Sequence, residues 1–404
     1  MRGVNMTNWV MKEHGILDSK ITVLSVSDQK SPDGHLMWNC LCECGNTFQE
    51  IGRKIREART LSCGCYTREF KKDKSKKLSE PKILTINGEE IKTEYWCKVE
   101  DEERLQLKQD FFCKPTLEEL NTQFKRLHSG GPKMDKVNRY YFRELMAKTK
   151  LSDSKWTVEE VFENNDLVGL FKSRVESGSK KTFQESRTLA QNIEKAIGLS
   201  SYARFPTNYP LQSVEKILEK YNINNNWYDF SCGWGARLIG AMRNNVNYFG
   251  TDPNYLLTQK LYELAADYGK INKVKSSIDI RTVGSQHYIR EWVDTMGLAF
   301  SSPPYFNLED YRIGDQSYKP GTTYEDWKEN YLRPTFNNIY CYLIKEGYFL
   351  INIKNLKDYP LVYDTLKIAE ECGFTHKETL AMDDNIQRPN IDDYVEPILV
   401  FQKH

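Results

Sequence analysis

Residues 227–238 read WYDFSCGWGARL, and this segment predicts how the second half of the chain folds. Residues 227–230 indicate a strand, Gly233 and Gly235 indicate a turn, and the residues after them favour a helix. Because glycine has no Cβ, the backbone N–H groups of such a turn can approach a ligand closely. One Gly-x-Gly pair is weak evidence by itself, so the neighbouring segments decide the interpretation.

Two further segments extend this pattern toward the C-terminus. Residues 248–254 (YFGTDPN) indicate a second short strand that ends at Asp252. A carboxylate at the tip of the second strand can accept hydrogen bonds from both ribose hydroxyls of an adenosine group. About fifty residues later, residues 298–301 indicate a third strand.

The third strand runs into AFSSPPYF, residues 299–306, in which two prolines stiffen the turn. Each proline lacks an N–H and pushes the residue before it toward extended geometry, so the backbone carbonyls point outward with few local partners. A stiff, carbonyl-rich corner that ends in an aromatic ring suits the binding of a flat heterocycle with an amino group. Taken alone, the segment indicates an ordinary Pro-Pro turn equally well.

The order of the three segments resembles the class I S-adenosylmethionine-dependent methyltransferases, and among them the DNA amino-methyltransferases. The family signature D-x-F-x-G-x-G corresponds to DFSCGWG, with Ser231 where phenylalanine is usual, and [D/N/S]-P-P-[Y/F] corresponds to SPPY at residues 302–305. Three signatures in this order are specific, and the resemblance covers about residues 200–404. It implies an α/β fold, a Rossmann-like class I methyltransferase domain with a seven-stranded, mostly parallel sheet.

The resemblance also implies which residues form the site. For the cofactor S-adenosylmethionine these are Phe205, Thr207, Asp229, Ser231, Gly233, Gly235, Asp252, Gln286 and Ser302. Gln286 falls near a position that is usually acidic in the family. Catalysis is assigned in the same way to Ser302, Pro303, Pro304 and Tyr305.

The family mechanism agrees with the chemistry of these residues. An exocyclic amino group is a poor nucleophile because its lone pair is delocalised into the ring. Accepting its hydrogens on the Ser302 side chain and the Pro303 carbonyl would localise that pair toward the sulfonium methyl. Tyr305 and Phe306 are the predicted base-stacking residues, and the base must first leave the duplex to reach them. No cysteine follows Pro304, so the covalent chemistry used at cytosine C5 is not expected.

The predicted function is methyl transfer from S-adenosylmethionine to N6 of adenine or N4 of cytosine in DNA. Serine before the two prolines favours cytosine by resemblance, although adenine enzymes also vary there. An RNA base methyltransferase is one alternative, because the same pocket can hold a splayed RNA base. A catalytically inactive nucleic-acid-binding protein on the same fold is the other, and the intact Asp229, Asp252 and SPPY speak against it.

The N-terminal part of the chain contains half of its ten cysteines. Cys42 and Cys44 are followed, after a spacer of eighteen residues, by Cys63 and Cys65. Two close pairs at this distance can give four thiolate ligands to a tetrahedral zinc ion, which we expect to be structural. Cys40 is a fifth candidate, and core cysteines without a metal are the alternative.

The pattern W-x-C-x-C-x-C-G followed by S-C-G-C resembles small zinc-ribbon-like modules at the start of phage and mobile-element DNA-handling proteins, over about residues 20–66. Between Arg53 and Lys77, ten basic side chains outnumber three acidic ones, which leaves a charge of +7. Such a run predicts contacts with the phosphate backbone of a duplex, and a solvated linker is the alternative. The residues assigned to these contacts are Arg53, Lys54, Arg56 and Arg59.

Length and composition predict a chain of several domains. With 404 residues and a net charge of +1, the chain is not a polycation, so contacts with nucleic acid must come from local patches. We expect a zinc-ribbon-like module with a basic linker at residues 1–80, a mainly helical region at 81–200 that is a candidate for target recognition, and the methyltransferase domain at 201–404. Within the helical region, Thr116 and Glu119 have the spacing of a capping box.

The expected partner is DNA. Whether a restriction enzyme acts together with this protein is not indicated by the sequence. No run of about 18 apolar residues and no apolar core of a secretory signal are found in the sequence. We therefore expect no membrane partner and a cytoplasmic location, in bacteria or in the cytosol of a phage-infected host.

Overall fold

The structure, a computed structural model, describes residues 21–56, 60, 63, 82–86, 89–93, 96–177, 183–184, 186–223, 225–381 and 396–404. The chain divides into two compact units. The first comprises Met1–Phe111 and Asn164–Leu199, and the second comprises Phe112–Glu163 and Ser200–His404. Residues 112–163 of the expected helical region thus belong to the unit that carries the expected methyltransferase domain. The three-part division at residues 80 and 200 stays a prediction.

The described strands are numbered in chain order. They are β1 (Ile21–Lys30), β2 (Leu36–Cys42), β3 (Thr47–Ile51), β4 (Lys82–Ile86), β5 (Glu89–Thr93), β6 (Lys150–Leu151), β7 (Asn226–Asp229), β8 (Asn247–Thr251), β9 (Ile278–Arg281), β10 (Met296–Ser301), β11 (Glu309–Asp310), β12 (Leu343–Asn352), β13 (Thr375–Ala381) and β14 (Pro397–Gln402).

The described helices are numbered in the same way. They are α1 (Gly52–Arg56), α2 (Asp101–Phe112), α3 (Leu117–His128), α4 (Asp135–Val137), α5 (Arg143–Lys148), α6 (Val158–Glu163), α7 (Asn165–Glu176), α8 (Leu189–Gly198), α9 (Leu211–Lys220), α10 (Ala236–Arg243), α11 (Tyr255–Asn272), α12 (Tyr324–Trp327), α13 (Arg333–Tyr342) and α14 (Leu361–Glu371). Asn138–Phe142 and Lys328–Leu332 are π-helical, and Arg290–Trp292 is a 3₁₀ turn. None of these helices is both long and apolar enough to cross a lipid bilayer.

The first unit contains two small antiparallel sheets among its described residues. β1, β2 and β3 pair in that order, with Cys40 of β2 opposite Val23 and Phe48, and β4 pairs with β5. The buried hydrophobic core described for the three-stranded sheet consists of Ile21, Cys40 and Ile55.

Seven of the described strands form the central sheet of the second unit, in the order β13-β14-β12-β10-β7-β8-β9. β14 runs antiparallel to both of its neighbours, and the pairs from β12 across to β9 are parallel. The prediction of an α/β fold with a seven-stranded, mostly parallel sheet is confirmed.

Alternating residues of the central strands face two separate hydrophobic cores. Trp227 and Phe300 belong to a core that also contains residues of α3, α9, α10 and α11. Tyr228 and Phe349 belong to a core completed by α13 and α14. Because both faces are covered, β10 is buried along its whole length, as is usual for a parallel strand. The carboxyl ends of β7, β8 and β10 meet at one edge, where ligands bind in sheets of this kind.

Candidate active site

The turn after β7 requires its two glycines. Gly233 and Gly235 have φ angles of 56° and 79°, in the left-handed region that favours glycine. Gly235 is the N-cap residue of α10, and a Cβ at this position would lie 2.7 Å from Leu264 Cδ2 and 3.3 Å from the Phe142 ring. Gly235 therefore lets the turn pack closely against α11 and Phe142, whereas Gly233 lies in the wall of the adjoining cavity. Gly235 lies outside that wall, so its contact with the cofactor stays a prediction.

Asp229 ends β7 and is fully buried. Its carboxylate accepts hydrogen bonds from Arg237 Nε at 2.8 Å and from the Tyr248 hydroxyl at 2.7 Å. Arg237 also donates to the Ser231 carbonyl and to the Ser301 hydroxyl. Together with the Tyr248 hydroxyl, this buried ion pair connects the glycine turn to β8 and to the ends of β7 and β10. Asp229 itself is not one of the residues that line the adjoining cavity.

A cavity of about 610 Å³ is lined by residues at the carboxyl edge of the sheet. Aromatic rings and the loop after β10 complete its wall. The lining includes five of the predicted site residues, which are Ser231, Gly233, Asp252, Gln286 and Pro304, and also Trp234, Tyr311, Ile313, Gln316 and Tyr331.

Asp252 follows β8 and lies almost completely buried in the cavity wall. One of its carboxylate oxygens accepts a hydrogen bond from the Asn254 N–H at 3.0 Å. Burial raises the pKa of Asp252 to about 7 against the lowering effect of that N–H, and the charge of Asp229 adds to the increase. The carboxyl group therefore changes its charge near neutral pH.

Gln286 gives the cavity wall an unpaired acceptor. Its Oε1 atom is buried and has no hydrogen-bond partner among the described residues, whereas its Nε2 lies 3.3 Å from Nε2 of His287. The side chain lies against Gly284, where a Cβ would come within 2.3 Å of Oε1. A buried carbonyl oxygen without a donor costs about 1–3 kcal/mol. The site therefore fits a ligand that offers an N–H group at this point.

The SPPY turn, residues 302–305, follows β10 and contributes Pro304 to the cavity wall. Tyr305 is buried, and its hydroxyl lies 2.9 Å from Ser302 Oγ. The same hydroxyl donates to Glu396 Oε1 at 2.8 Å and to Asn352 Oδ1 at 3.3 Å. The structure thus brings Ser302 and Tyr305 together, but Ser302, Pro303 and Tyr305 all lie outside the cavity lining. The catalytic roles of Ser302 and Pro303 stay predictions. Stacking of the Tyr305 ring on a base stays a prediction as well.

Phe306 packs into an aromatic cluster beside the SPPY turn. Its φ angle is 52°, and its side chain is buried. It too lies outside the cavity lining, so its role as a second stacking wall stays a prediction. The ring centroid lies between 4.9 and 5.9 Å from the centroids of Tyr318, Tyr324, Trp327 and Tyr359.

Phe205 and Thr207, assigned to the cofactor by resemblance, also lie outside the cavity lining. Thr207 is exposed, and the Phe205 ring lies 5.1 Å from the guanidinium group of Arg143. The nearby π-helical segment packs Phe142 on Trp234 of the glycine turn, with 6.2 Å between the ring centroids. Residues 112–163 therefore support the turn, and the cofactor contacts of Phe205 and Thr207 stay predictions.

Tyr311 and Tyr331 line the cavity although neither is among the predicted site residues. The sequence carries a signal for Tyr311, because it lies in the long polar and aromatic loop at residues 307–324, which is typical of a lid. It carries none for Tyr331, nor for Asn352 and Glu396, the two partners of Tyr305. These residues reach the site from separate elements of the fold.

Three of the predicted metal ligands lie together in the first unit. The Sγ atoms of Cys42, Cys44 and Cys63 all lie within 4.8 Å of one another, and those of Cys44 and Cys63 are 3.3 Å apart. Thiolates around one tetrahedral zinc ion have similar separations, about 3.7 Å for Zn–S bonds of about 2.3 Å. Cys65, the fourth predicted ligand, lies outside the described residues.

Cys40, the fifth candidate ligand, belongs to the hydrophobic core of the three-stranded sheet. Its side chain is fully buried, and its thiol donates to the Trp38 carbonyl at 3.6 Å. The group of three sulfur atoms described above does not include it.

Lys54 is the one predicted phosphate-contacting residue whose side chain the structure describes. Its ammonium group pairs with Glu50 at 3.1 Å, and half of the side chain is exposed. The side chains of Arg53 and Arg56, and the whole of Arg59, lie outside the described part of the chain. Contact of these four residues with nucleic acid stays a prediction.

No protein-family model matches the chain, and no curated protein matches it. Among solved structures, a TehB-like SAM-dependent methyltransferase from Corynebacterium glutamicum is 17% identical, with 47% of this chain and 88% of that chain covered and a TM-score of 0.33. SAM-dependent methyltransferases from Clostridium acetobutylicum and Methanosarcina mazei are 9% and 11% identical, with TM-scores of 0.35 and 0.34. They cover 49% and 46% of this chain and 92% and 96% of their own.

These likenesses are distant, and the assignment of the fold rests on the central sheet itself. The strand order β13-β14-β12-β10-β7-β8-β9, with β14 alone antiparallel among the seven, defines the Rossmann-like class I methyltransferase fold. The second unit has this fold.

Proposed function

We propose that the chain transfers a methyl group from S-adenosylmethionine to the exocyclic amino nitrogen of a flipped DNA base, N6 of adenine or N4 of cytosine. One observation carries the proposal: a single cavity wall combines the glycine turn, Asp252, Gln286 and Pro304 of the SPPY turn. Groups suited to the cofactor thus lie beside the turn suited to an amino-bearing base.

The residues of the cavity fit S-adenosylmethionine, which supplies a methyl group on a positively charged sulfur. The Asp252 carboxylate can accept hydrogen bonds from both ribose hydroxyls. Gln286 Oε1, which is unpaired within the described chain, can accept one from the adenine amino group. The backbone at Gly233 allows close approach, and Asp229 acts indirectly, because it holds the turn through Arg237.

The SPPY turn would hold the amino group of the target base. The Ser302 hydroxyl and the Pro303 carbonyl would accept its two hydrogens, which localises the nitrogen lone pair and makes the nitrogen a better nucleophile. The base must leave the duplex for this contact, because its amino group is otherwise paired and stacked. The apolar faces of Trp234 and Tyr311 in the cavity wall would exclude water from the reacting groups.

The test is transfer of tritium-labelled methyl groups from S-adenosylmethionine to duplex DNA, single-stranded DNA and RNA. Label on DNA supports the proposal, and base-resolution sequencing of the product then identifies the base and the recognition site. Label on RNA alone would favour the RNA alternative. Binding of DNA without label on any polymer would contradict methyl transfer and favour the inactive binding protein.

We expect the affinity for the product analogue S-adenosylhomocysteine to rise with pH. Burial raises the pKa of Asp252 to about 7, so below this pH the carboxyl group is mostly neutral. One of its oxygens then carries a proton and no longer accepts a hydrogen bond from a ribose hydroxyl as a carboxylate oxygen does. Between pH 6 and pH 8 the ionised fraction increases about tenfold, and the Kd from titration calorimetry is expected to fall about tenfold. Asp252→Asn should remove this dependence. A wild-type Kd that stays the same between pH 6 and pH 8 would contradict binding of the ligand by a carboxyl group that titrates near neutral pH.

We also infer that Cys42, Cys44 and Cys63 bind a structural zinc ion, with Cys65 as the predicted fourth ligand. The mutual distances of the three sulfur atoms support this. Asn46 Nδ2 lies 3.7 Å from Cys63 Sγ and can stabilise the charge of a thiolate.

Metal analysis of the purified protein is expected to find about one zinc ion per chain. Cys63→Ser is expected to remove most of the zinc and to lower the unfolding temperature of the first unit, because metal binding contributes directly to its folding. Cys113→Ser changes an exposed cysteine of the second unit and should alter neither quantity. Purified protein without zinc, or a Cys63→Ser variant with wild-type stability, would contradict the metal site.

A further inference from the structure

The Tyr305 hydroxyl connects the SPPY turn to a carboxylate that the proposed reaction has not yet used. It lies 2.9 Å from Ser302 Oγ on one side and 2.8 Å from Glu396 Oε1 on the other. Glu396 directly precedes β14 and is partly exposed. A continuous chain of hydrogen bonds thus runs from Ser302 to a carboxylate that solvent can reach.

The chemistry of the groups fixes the direction of this chain. Asn352 Nδ2 donates to the Pro397 carbonyl at 3.0 Å, so Asn352 presents its Oδ1 to Tyr305. A carboxylate oxygen and an amide oxygen can only accept hydrogen bonds, so the Tyr305 hydroxyl donates its single proton toward Glu396 and Asn352. Ser302 therefore donates its own proton to Tyr305. The lone pairs of Ser302 Oγ stay available to accept a hydrogen bond from a ligand.

We propose that Glu396 accepts, through Tyr305 and Ser302, the proton that the target amine loses during methyl transfer; the inference rests on the proposed function. The amine nitrogen forms a bond to the methyl carbon, and the carbon–sulfur bond breaks with its electron pair going to sulfur. The nitrogen gives a proton to Ser302 Oγ, Ser302 gives its own to Tyr305, and Tyr305 gives its own to Glu396. Each hydroxyl ends with one proton, and the sulfonium and carboxylate charges disappear together.

Burial keeps Tyr305 neutral within this chain. Its pKa is raised well above the usual value by burial and then by the charge of Glu396, so the phenol can exchange one proton for another but does not ionise by itself. Two further described groups interact electrostatically with Glu396: Tyr209 and Glu309, a partly buried carboxyl whose pKa is raised by desolvation. Tyr305 and Glu396 are positioning residues, because they act on the amine through Ser302.

The test compares Glu396→Gln and Tyr305→Phe with two matched controls, Glu378→Gln and Tyr221→Phe. The Tyr221 hydroxyl donates to Glu378 at 2.7 Å, and this tyrosine–glutamate pair of the second unit does not line the cavity. Methyl transfer is measured on the polymer that the wild-type protein labels, together with KM and the Kd for S-adenosylhomocysteine. We expect the two relay variants to lower kcat about 100-fold, as removal of general acid–base catalysis does. KM and Kd should change less than about twofold, and the controls should change none of the three.

A proton inventory distinguishes two explanations for a lower kcat, a loss of proton transfer and a loss of structure. Single-turnover rates are measured in mixtures of H₂O and D₂O. We expect a curved dependence on the deuterium fraction in the wild-type protein, because several protons move together. Tyr305→Phe interrupts the chain and should give a straight line.

The outcomes distinguish the relay from the reaction that it serves. A wild-type kcat in Glu396→Gln would overturn the relay and leave the proposed function intact. A loss of kcat matched by a loss of cofactor affinity, with a straight inventory in the wild type, would also overturn it, because that pattern indicates a structural role. Wild-type protein that methylates neither DNA nor RNA would remove the proposed function, and the relay with it.

Discussion

Replacing Arg237 with methionine is expected to lower the free energy of unfolding of the second unit by about 3–5 kcal/mol. The Arg237 side chain is 6% exposed and that of its partner Asp229 is 0% exposed. Without the guanidinium, the Asp229 carboxylate keeps the hydrogen bond from Tyr248 but loses its counter-charge in a medium that solvates charge poorly. The glycine turn also loses the bonds from Arg237 to Ser231 and Ser301.

Urea unfolding followed by circular dichroism measures the effect. Arg333→Met is the matched control, because Arg333 pairs with Glu329 and Glu371 while remaining 30% exposed. Pairs that solvent reaches in this way contribute about 1 kcal/mol or less. Adding Asp229→Asn to Arg237→Met removes the unpaired charge and should restore part of the lost stability. Equal losses for Arg237→Met and Arg333→Met would show that the buried pair does not hold the turn.

Gly235→Ala is expected to destabilise the second unit by about 2–5 kcal/mol and to weaken the binding of S-adenosylhomocysteine. The φ angle of 79° costs alanine about 1–2 kcal/mol. The added Cβ would lie 2.7 Å from Leu264 Cδ2, and overpacking of this kind costs about 1–3 kcal/mol. To relieve the contact the turn must move, and its backbone at the cavity moves with it.

Gly269→Ala is the control, and its expected effect has the opposite sign. Gly269 lies within α11, its φ is outside the left-handed region, and an added Cβ would meet Met242 Cε at 3.5 Å, an ordinary contact. Alanine in place of a helical glycine stabilises by up to about 1 kcal/mol. Thermal unfolding and ligand titration of both variants give the comparison. Wild-type stability and affinity in Gly235→Ala would mean that the turn accepts a side chain at this position without moving.

The sequence predicted those parts of the fold that depend on nearby residues or on a specific signature. The spacing of Thr116 and Glu119 predicted a capping box, and both of its hydrogen bonds are present. The seven-stranded, mostly parallel sheet followed from the resemblance carried by DFSCGWG, Asp252 and SPPY, and the strand order confirms it. Capping boxes and signatures of this kind can be recognised from a short segment, without knowing which residues from elsewhere in the sequence pack against it.

The remaining features depend on residues far apart in the sequence. Tyr305 and Glu396 are separated by 91 positions and meet because β14 lies beside β12. Phe142 reaches the glycine turn from a π-helical segment that no local pattern distinguishes from an α-helix. The tyrosine of an SPPY turn can face a ligand or the core with the same local sequence. Its burial against Asn352 and Glu396 therefore had no signal in the motif itself.

The position of β14 between β12 and β13 has a consequence for protein synthesis. Both neighbours hydrogen-bond to β14, so β13 cannot join the sheet before residues 397–402 have left the ribosome. A nascent chain that already contains β7 to β13 therefore carries an unpaired β12 edge and an undocked strand. Unpaired edges are templates for pairing with other chains. A translational pause just ahead of β14 would prolong the period in which this chain can aggregate.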